Sequence, residues 1–465
     1  MSLSYAPSRY FDTPGSTTSA RPYPTARVGL RAAQLAGALL LGAAVAPATA
    51  DAASPTESSE AASFVIDNVR IEVGDGTVIE QGSVVVRDGR IAEVGERVTA
   101  PEGVSRIDAA GKVLTPGLIE SRAQIGLVEV PMAKETRDAA MSGALTPAFR
   151  ALDGFNFNST RIAVNRREGV TGAVIAPSSG LLAGSAGFVE LFTGPRAVGT
   201  ARQPIALFGA VDSDASRMAG GARGGIWLRL RRVFDDTRLY LDNRRAYERG
   251  KMPELALPAA HLQALAPLLE RQIPLVLEAH RASDIRQAVR FAKREEVRLI
   301  IAGATEAWMV ASHLADADVP VILKPTEQVP WGFEALGARD DSAAILHSQG
   351  VTVALSAGGW SQNIRRLRQQ AGIAVAHGLE HHAAVQAITQ SPATMFGLDE
   401  KIGSIAEGKR ANLVLWSGDP LEVRTRVDTI WIGGQRQSLS SRQEQLVERY
   451  LDRADAAPTR QQQAE

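Results

Sequence analysis

Glu278 and His280 are the residues of this sequence best placed to do chemistry. They follow the apolar run Pro274-Leu275-Val276-Leu277 and stand two positions apart. If that run is a strand, alternation puts both side chains on one face. A carboxylate beside an imidazole can orient it and help it take a proton from water. The chain has seven His, so each of the others can be weighed by itself. His261, His313, His347, His377, His381 and His382 fall in or beside helical segments, where an exposed or hydrogen-bonded imidazole is the expected role. His381 and His382 are adjacent and cannot share a helix face as an i, i+4 metal pair does. The absence of Cys excludes disulfides, thiolate-held zinc, iron–sulfur clusters and a thiol nucleophile.

The elements that must position this pair read as strands alternating with helices. Short apolar runs occur at 173–176, 204–208, 274–278, 297–301, 319–323 and 351–355, several followed by helix-period segments. Asp284 starts one such helix (Ile285, Val289, Ala292) and Thr305 another (Trp308, Ala311, Leu314). Near-continuous apolar strands between helices predict a parallel sheet. Residues 116–398 span 283 positions, close to the roughly 250 typical of a (β/α)₈ barrel. Before them, 64–114 holds short β-branched runs with Gly74-Asp75-Gly76 and Asp88-Gly89 as hairpin turns. A similar β signature returns at 411–416 and 429–432. Each end is too small for its own core, so the two are expected to form one composite β-sandwich.

Residues 1–50 stand apart. Arg21, Arg27 and Arg31 precede the apolar run Ala32 to Ala46 and the small-residue site Ala48-Thr49-Ala50, the order of a secretory signal. The run is too short for a comfortable membrane span. Export to the periplasm or medium is expected, with no stable membrane insertion after cleavage. Without residues 1–50, 47 basic and 50 acidic residues remain, a net charge of −3. That balance gives no reason to expect nucleic acid as a partner. The expected order is then a signal (1–50), a flexible leader (51–62), the N-terminal sandwich segment (63–115), the barrel (116–398), the C-terminal sandwich segment (399–440) and a polar tail (441–465) with one short helix near Leu446 to Leu451.

Thr115-Pro116-Gly117-Leu118-Ile119-Glu120-Ser121-Arg122-Ala123-Gln124 resembles the segment that leaves the sandwich in the imidazolonepropionase-like branch of the amidohydrolase superfamily, P-G-L-I/F-D-x-H-x-H. Ser391-Pro392-Ala393-Thr394-Met395-Phe396-Gly397-Leu398 and Gly403-Ser404-Ile405-Ala406-Glu407-Gly408-Lys409-Arg410-Ala411-Asn412-Leu413-Val414 resemble two later motifs of the same branch. The resemblance covers about 64–436 and implies a hydrolase of C–N bonds in cyclic amides, N-acyl compounds or dipeptides. It also implies that the H-x-H metal pair is replaced here by Arg122 and Gln124. A guanidinium cannot ligate, and an amide oxygen is a poor ligand for zinc. By the same resemblance His280 is the retained fifth-strand imidazole, Ala302 stands near a sixth-strand His, and Ser356-Ala357 replaces an eighth-strand Asp. No cofactor is expected on this reading; zinc would be, if the ligands lie elsewhere.

Three readings follow. One is an enzyme with a rebuilt metal-free site, with Glu278 and His280 as base and Arg122 as anion clamp. A second is a non-catalytic protein that keeps the pocket for a small molecule or serves as the partner subunit of an active paralogue. The third is a conventional metal hydrolase. Gln124, Trp331, Trp360 and Asn363 are candidates to line the barrel mouth, Trp331 equally a packing residue. The Gly-rich stretch Gly180 to Gly187 reads as a loop after the second strand, and 220–250 as either a lid or a solvated helix.

Overall fold

The computed structural model describes residues 63–99, 102–192 and 201–456. The expected signal (1–50), the leader (51–62) and the end of the tail (457–465) lie outside the described residues.

The chain first lays down β1 (Phe64–Glu72), β2 (Val78–Arg87), β3 (Arg90–Gly95), β4 (Ser105–Asp108) and β5 (Val113–Pro116). Asp88 and Gly89 turn β2 into β3 with φ of 50° and 74°, as an Asp-Gly hairpin requires. The barrel strands follow: β6 (Leu118–Ala123), β7 (Val170–Ile175), β8 (Gly184–Glu190), β9 (Arg202–Ala210), β10 (Leu275–Ala279), β11 (Leu299–Gly303), β12 (Val321–Leu323) and β13 (Val353–Leu355). The chain then returns through β14 (Leu413–Trp416), β15 (Val427–Ile432) and β16 (Gln435–Arg436).

Both chain ends enter one sheet, in the order β16-β15-β14-β5-β1-β2-β3, with β4 on β1. The junction is the antiparallel pair β5–β14, and the buried indole Nε1 of Trp416 donates to Thr115 Oγ1 across it at 2.9 Å. Phe64 of β1 stacks on Trp431 of β15 at 5.2 Å, although two strands separate them in the sheet. The sheet therefore curls over its own core of Ile66, Ile71, Val84, Leu114 and Leu413, as a sandwich does.

The second sheet runs β13-β12-β11-β10-β9-β8-β7-β6. Its ends approach closure: Ser121 Oγ donates to the Leu355 carbonyl, and Gln124 N donates to the Gly359 carbonyl at 2.8 Å. Val174, Phe188, Phe208, Val276, Ile300, Ile322 and Ala354 fill the interior, while Leu275, Leu277, Ile301 and Leu355 join the core that includes the helices. This alternation makes an eight-stranded barrel a packed core.

One strand departs from the sequence expectation. The stretch Gly180 to Gly187, expected to be a loop, runs into a strand: Gly184–Glu190 is β8, antiparallel to both β7 and β9. Its glycines have a steric reason: a Cβ on Gly184 would fall 2.5 Å from the Phe149 carbonyl, and one on Gly187 2.5 Å from Leu152 Cγ. Residues chosen for close approach thus removed the β-branched signal that marks a strand.

Residues 223–242 form one helix, Arg223–Asp242, with Ile226, Leu230, Val233, Phe234 and Thr237 buried. It is an outer helix of the barrel, not a lid. The tail forms a helix, Arg442–Ala456, longer than expected. Among the described residues no helix is long and apolar enough to cross a membrane.

Candidate functional site

β6, β10, β12 and β13 end on one side of the barrel, where a cavity of about 740 Å³ opens. Arg122, Gln124, Glu278, His280, Trp331 and Trp360 all line it. Asn363 is not among its lining residues; its backbone N–H bonds the Trp360 carbonyl at the start of a short 3₁₀ turn.

Arg122 Nη2 meets Glu278 Oε2 at 2.8 Å. The ion pair joins the first and fifth barrel strands across the cavity floor. The other carboxylate oxygen, Oε1, lies 3.9 Å from His280 Nε2. The far ring nitrogen, Nδ1, shares a 2.9 Å hydrogen bond with the buried Thr305 hydroxyl, which fixes the imidazole plane. Trp331 packs edge-on against the ring at 5.1 Å. Gly303 closes the pocket behind it: a Cβ there would come 2.6 Å from His280 Cε1. Burial pushes the Glu278 carboxyl up, but the charge and hydrogen bond of Arg122, with the charges of His280 and Lys324, outweigh it and hold Glu278 below the ordinary carboxylate range.

Several groups that the sequence did not single out also meet here. Lys324 follows β12, pairs with Glu327, and lies over Gly358, where any side chain would collide with its ammonium end. Lys134 and Arg137 add two exposed cations to the cavity wall. Asp212 follows β9 and caps the helix Ser213–Met218 through Ala215 N at 2.8 Å. Burial raises its carboxyl, and the Glu278 charge adds to that.

Glu120 is the least expected of these. It is wholly buried and accepts from Ser356 Oγ at 2.5 Å, from Ala357 N at 2.9 Å and from Arg122 N at 3.1 Å. A register shift in β6 between Glu120 and Ala123 accompanies this contact set. Burial drives the carboxyl from 4.5 to about 7, against the hydrogen bonds from Ser356, Ala357 and Arg122 and the charge of Lys324. An acid whose folded pKa is raised is stabilising while protonated, so stability falls as pH climbs from 4.5 to about 7. At about 1.36 kcal/mol per pH unit the loss is about 3 kcal/mol. Glu120→Gln should lack it. Urea melts at pH 5 and pH 8 check this: the stability gap between variant and wild type should open at the higher pH, and a pH-independent gap would contradict it.

Among the described residues, no group of three or more His, Asp or Glu is arranged to hold a metal ion. His261 Nδ1 accepts from Ala148 N, and His381 Nε2 meets both Asp419 oxygens at 3.0 Å, so these imidazoles have structural partners away from the cavity. The Asp419 hydrogen bond, against the effect of burial, raises the His381 pKa.

A family model described as the amidohydrolase family matches residues 349–436. The chain is 25% identical over 390 residues to Amidohydrolase tasK of Hapsidospora irregularis, covering 77% of this chain. It spans 40% of the length of that relative. A shorter match, 38% over 63 residues, is to an imidazolonepropionase of Mycolicibacterium smegmatis and covers 14% of this chain and 16% of that protein. The crystal structure of an amidohydrolase from Thermotoga maritima superposes with a TM-score of 0.74 at 27% identity, over 81% of this chain and 99% of that one.

Proposed function

Because this chain belongs to the amidohydrolase superfamily, we propose that it hydrolyses a C–N bond in a small cyclic amide, N-acyl compound or dipeptide, and that it does so without a divalent metal centre. The observation that carries this reading is the 2.8 Å pair between Arg122 and Glu278 on the cavity floor. A catalytic zinc takes about three protein ligands. Here one carboxylate oxygen is already held by a permanent cation, and a single imidazole stands beside it. A unit charge 4 Å from a guanidinium costs about 4 kcal/mol at an effective dielectric of about 20, and a divalent ion about twice that. The donor set does not fit zinc.

The residues present can divide the work of amide hydrolysis. Arg122 and Lys324 are cations facing the cavity, suited to hold a carbonyl oxygen as negative charge develops on it. His280, oriented by Thr305, takes a proton from the attacking water through Nε2. The ionised Glu278 stabilises the imidazolium that results. Lys134 and Arg137 favour substrates with a free carboxylate. The test is a panel of N-acyl amino acids, dipeptides and their amidated forms with chelator-treated protein. Turnover should persist, with free carboxylates preferred; turnover abolished by chelation and restored by zinc would refute the metal-free mechanism.

A second reading is a binding subunit that does not turn over its ligand. The exposed apolar residues on the loops after β6, β12 and β13 favour it: Met132 is 94% exposed and Phe333 90%, with Leu336 and Trp360 also exposed on these loops. Such a rim suits a protein partner, for example an active paralogue. Ligand binding without turnover, and activity only in a mixed complex, would establish it.

We also place the protein outside the cytoplasm, on the basic, apolar and small-residue order of residues 21–50. N-terminal sequencing of the exported protein should begin near Asp51; an intact N-terminus in the cytoplasmic fraction would overturn this.

A further inference from the structure

Glu120 and Ser356 form a polar pair that the hydrolytic reading above does not use. Ser356 follows β13 and lies on the cavity wall, yet is only 4% exposed. Its hydroxyl donates to Glu120 Oε1 at 2.5 Å and accepts from Gly358 N at 2.9 Å. Glu120 is wholly buried, and Ala357 N and Arg122 N donate to its carboxyl oxygens. The charged group that acts on it from beyond its own strand is Lys324, which follows β12. A buried carboxyl linked to the cavity by one hydroxyl can pass a proton to the cavity through that hydroxyl.

We propose that Ser356 is the acid of the reaction, giving its hydroxyl proton to the leaving nitrogen, and that Glu120 is the positioning residue that replaces that proton. This rests on the hydrolytic reading. The carbonyl carbon gains a bond to the water oxygen and loses its bond to nitrogen. His280 takes one proton from that water. The nitrogen takes the Ser356 proton, Glu120 returns one to Ser356, and the imidazolium proton passes through solvent to the Ser356 hydroxyl, which hands its own proton back to Glu120. Nothing beyond water is consumed. Glu120 must be protonated to act, and its burial keeps it so up to about neutral pH. In that state the 2.5 Å contact runs from the Glu120 hydroxyl to Ser356 Oγ, which leaves the serine proton free for the leaving nitrogen.

The experiment compares kcat for an alkylamide and the matching p-nitroanilide in wild type, Ser356→Ala, Ser356→Thr and Glu120→Gln, each across pH. Loss of an acid costs about 10²-fold or more where the leaving amine is poor. The alkylamide should therefore suffer at least that in Ser356→Ala, with the nitroanilide largely spared and Ser356→Thr close to wild type. The wild-type alkylamide rate should fall above neutrality, and Glu120→Gln should remove that limb. Equal losses on both substrates, or an unchanged pH profile in Glu120→Gln, would overturn the assignment while leaving hydrolysis itself intact. A wild type that turns over neither substrate would instead defeat the hydrolytic reading, and this proposal with it.

Discussion

Glu278→Gln and His280→Asn are each expected to lower kcat/KM by about two to four orders of magnitude, the range for removing a positioned base. The reason lies in how the three groups depend on one another. His280 Nε2 faces Glu278 at 3.9 Å, while Nδ1 is tied to Thr305. Removing the carboxylate charge leaves the imidazolium without its counter-charge and frees Arg122, whose pairing with Glu278 is what holds the floor cation in place. The two losses should be strongly non-additive, because the residues act as a unit. Steady-state kinetics of both single variants and the double variant check this. A double variant that loses the sum of the two effects would show that they work independently.

Arg410→Ala is expected to destabilise the fold by about 2–3 kcal/mol, less than the loss of about 3–5 kcal/mol for a fully buried ion pair that loses one partner, because Glu190 is buried but Arg410 is one-third exposed. Glu190 ends β8 with 2% of its surface exposed and receives both Arg410 Nε and Nη2 at 2.9 Å, plus Asn412 Nδ2 at 2.7 Å. Arg410 and Asn412 lead into β14, so this network fastens the barrel to the composite sheet. Without Arg410 the carboxylate keeps one neutral donor in a buried site. A double variant, Glu190→Leu with Arg410→Met, removes both charges and should recover most of the loss. Denaturant melts of the three proteins give the comparison. An Arg410→Ala variant within about 1 kcal/mol of wild type, an amount ordinary for an exposed pair, would contradict it.

The parallel strands were legible because they are buried on both faces and read as unbroken apolar runs, as in β10 and β11. The joining of the two chain ends followed from their size, since neither end could bury a core alone. β8 was hidden because glycines packed against Phe149 and Leu152 took the place of β-branched residues. In the site, strand alternation placed Glu278 beside His280, and family resemblance placed Arg122 opposite. The resemblance also placed Ser356 at an eighth-strand position, but not its bond to Glu120; that bond, Lys324 and the role of Glu120 escaped because the contacts that define them cross between strands far apart in sequence. Glu120 and Ser356 are 236 residues apart, and no local pattern marks a carboxyl as buried. The hint available was the position of Glu120 after the apolar Gly117-Leu118-Ile119, at the acidic position of the motif that leaves the sandwich.

The most direct test of the central claim, a barrel mouth organised by an Arg–carboxylate pair in place of a metal, is the zinc content of the purified full chain. It is read by elemental mass spectrometry after equilibration with excess zinc and removal of the unbound ion. With Arg122 on Glu278, and one imidazole beside them, the expected result is well below one equivalent, unchanged in His280→Ala. One or two tightly held equivalents that disappear in His280→Ala would contradict it.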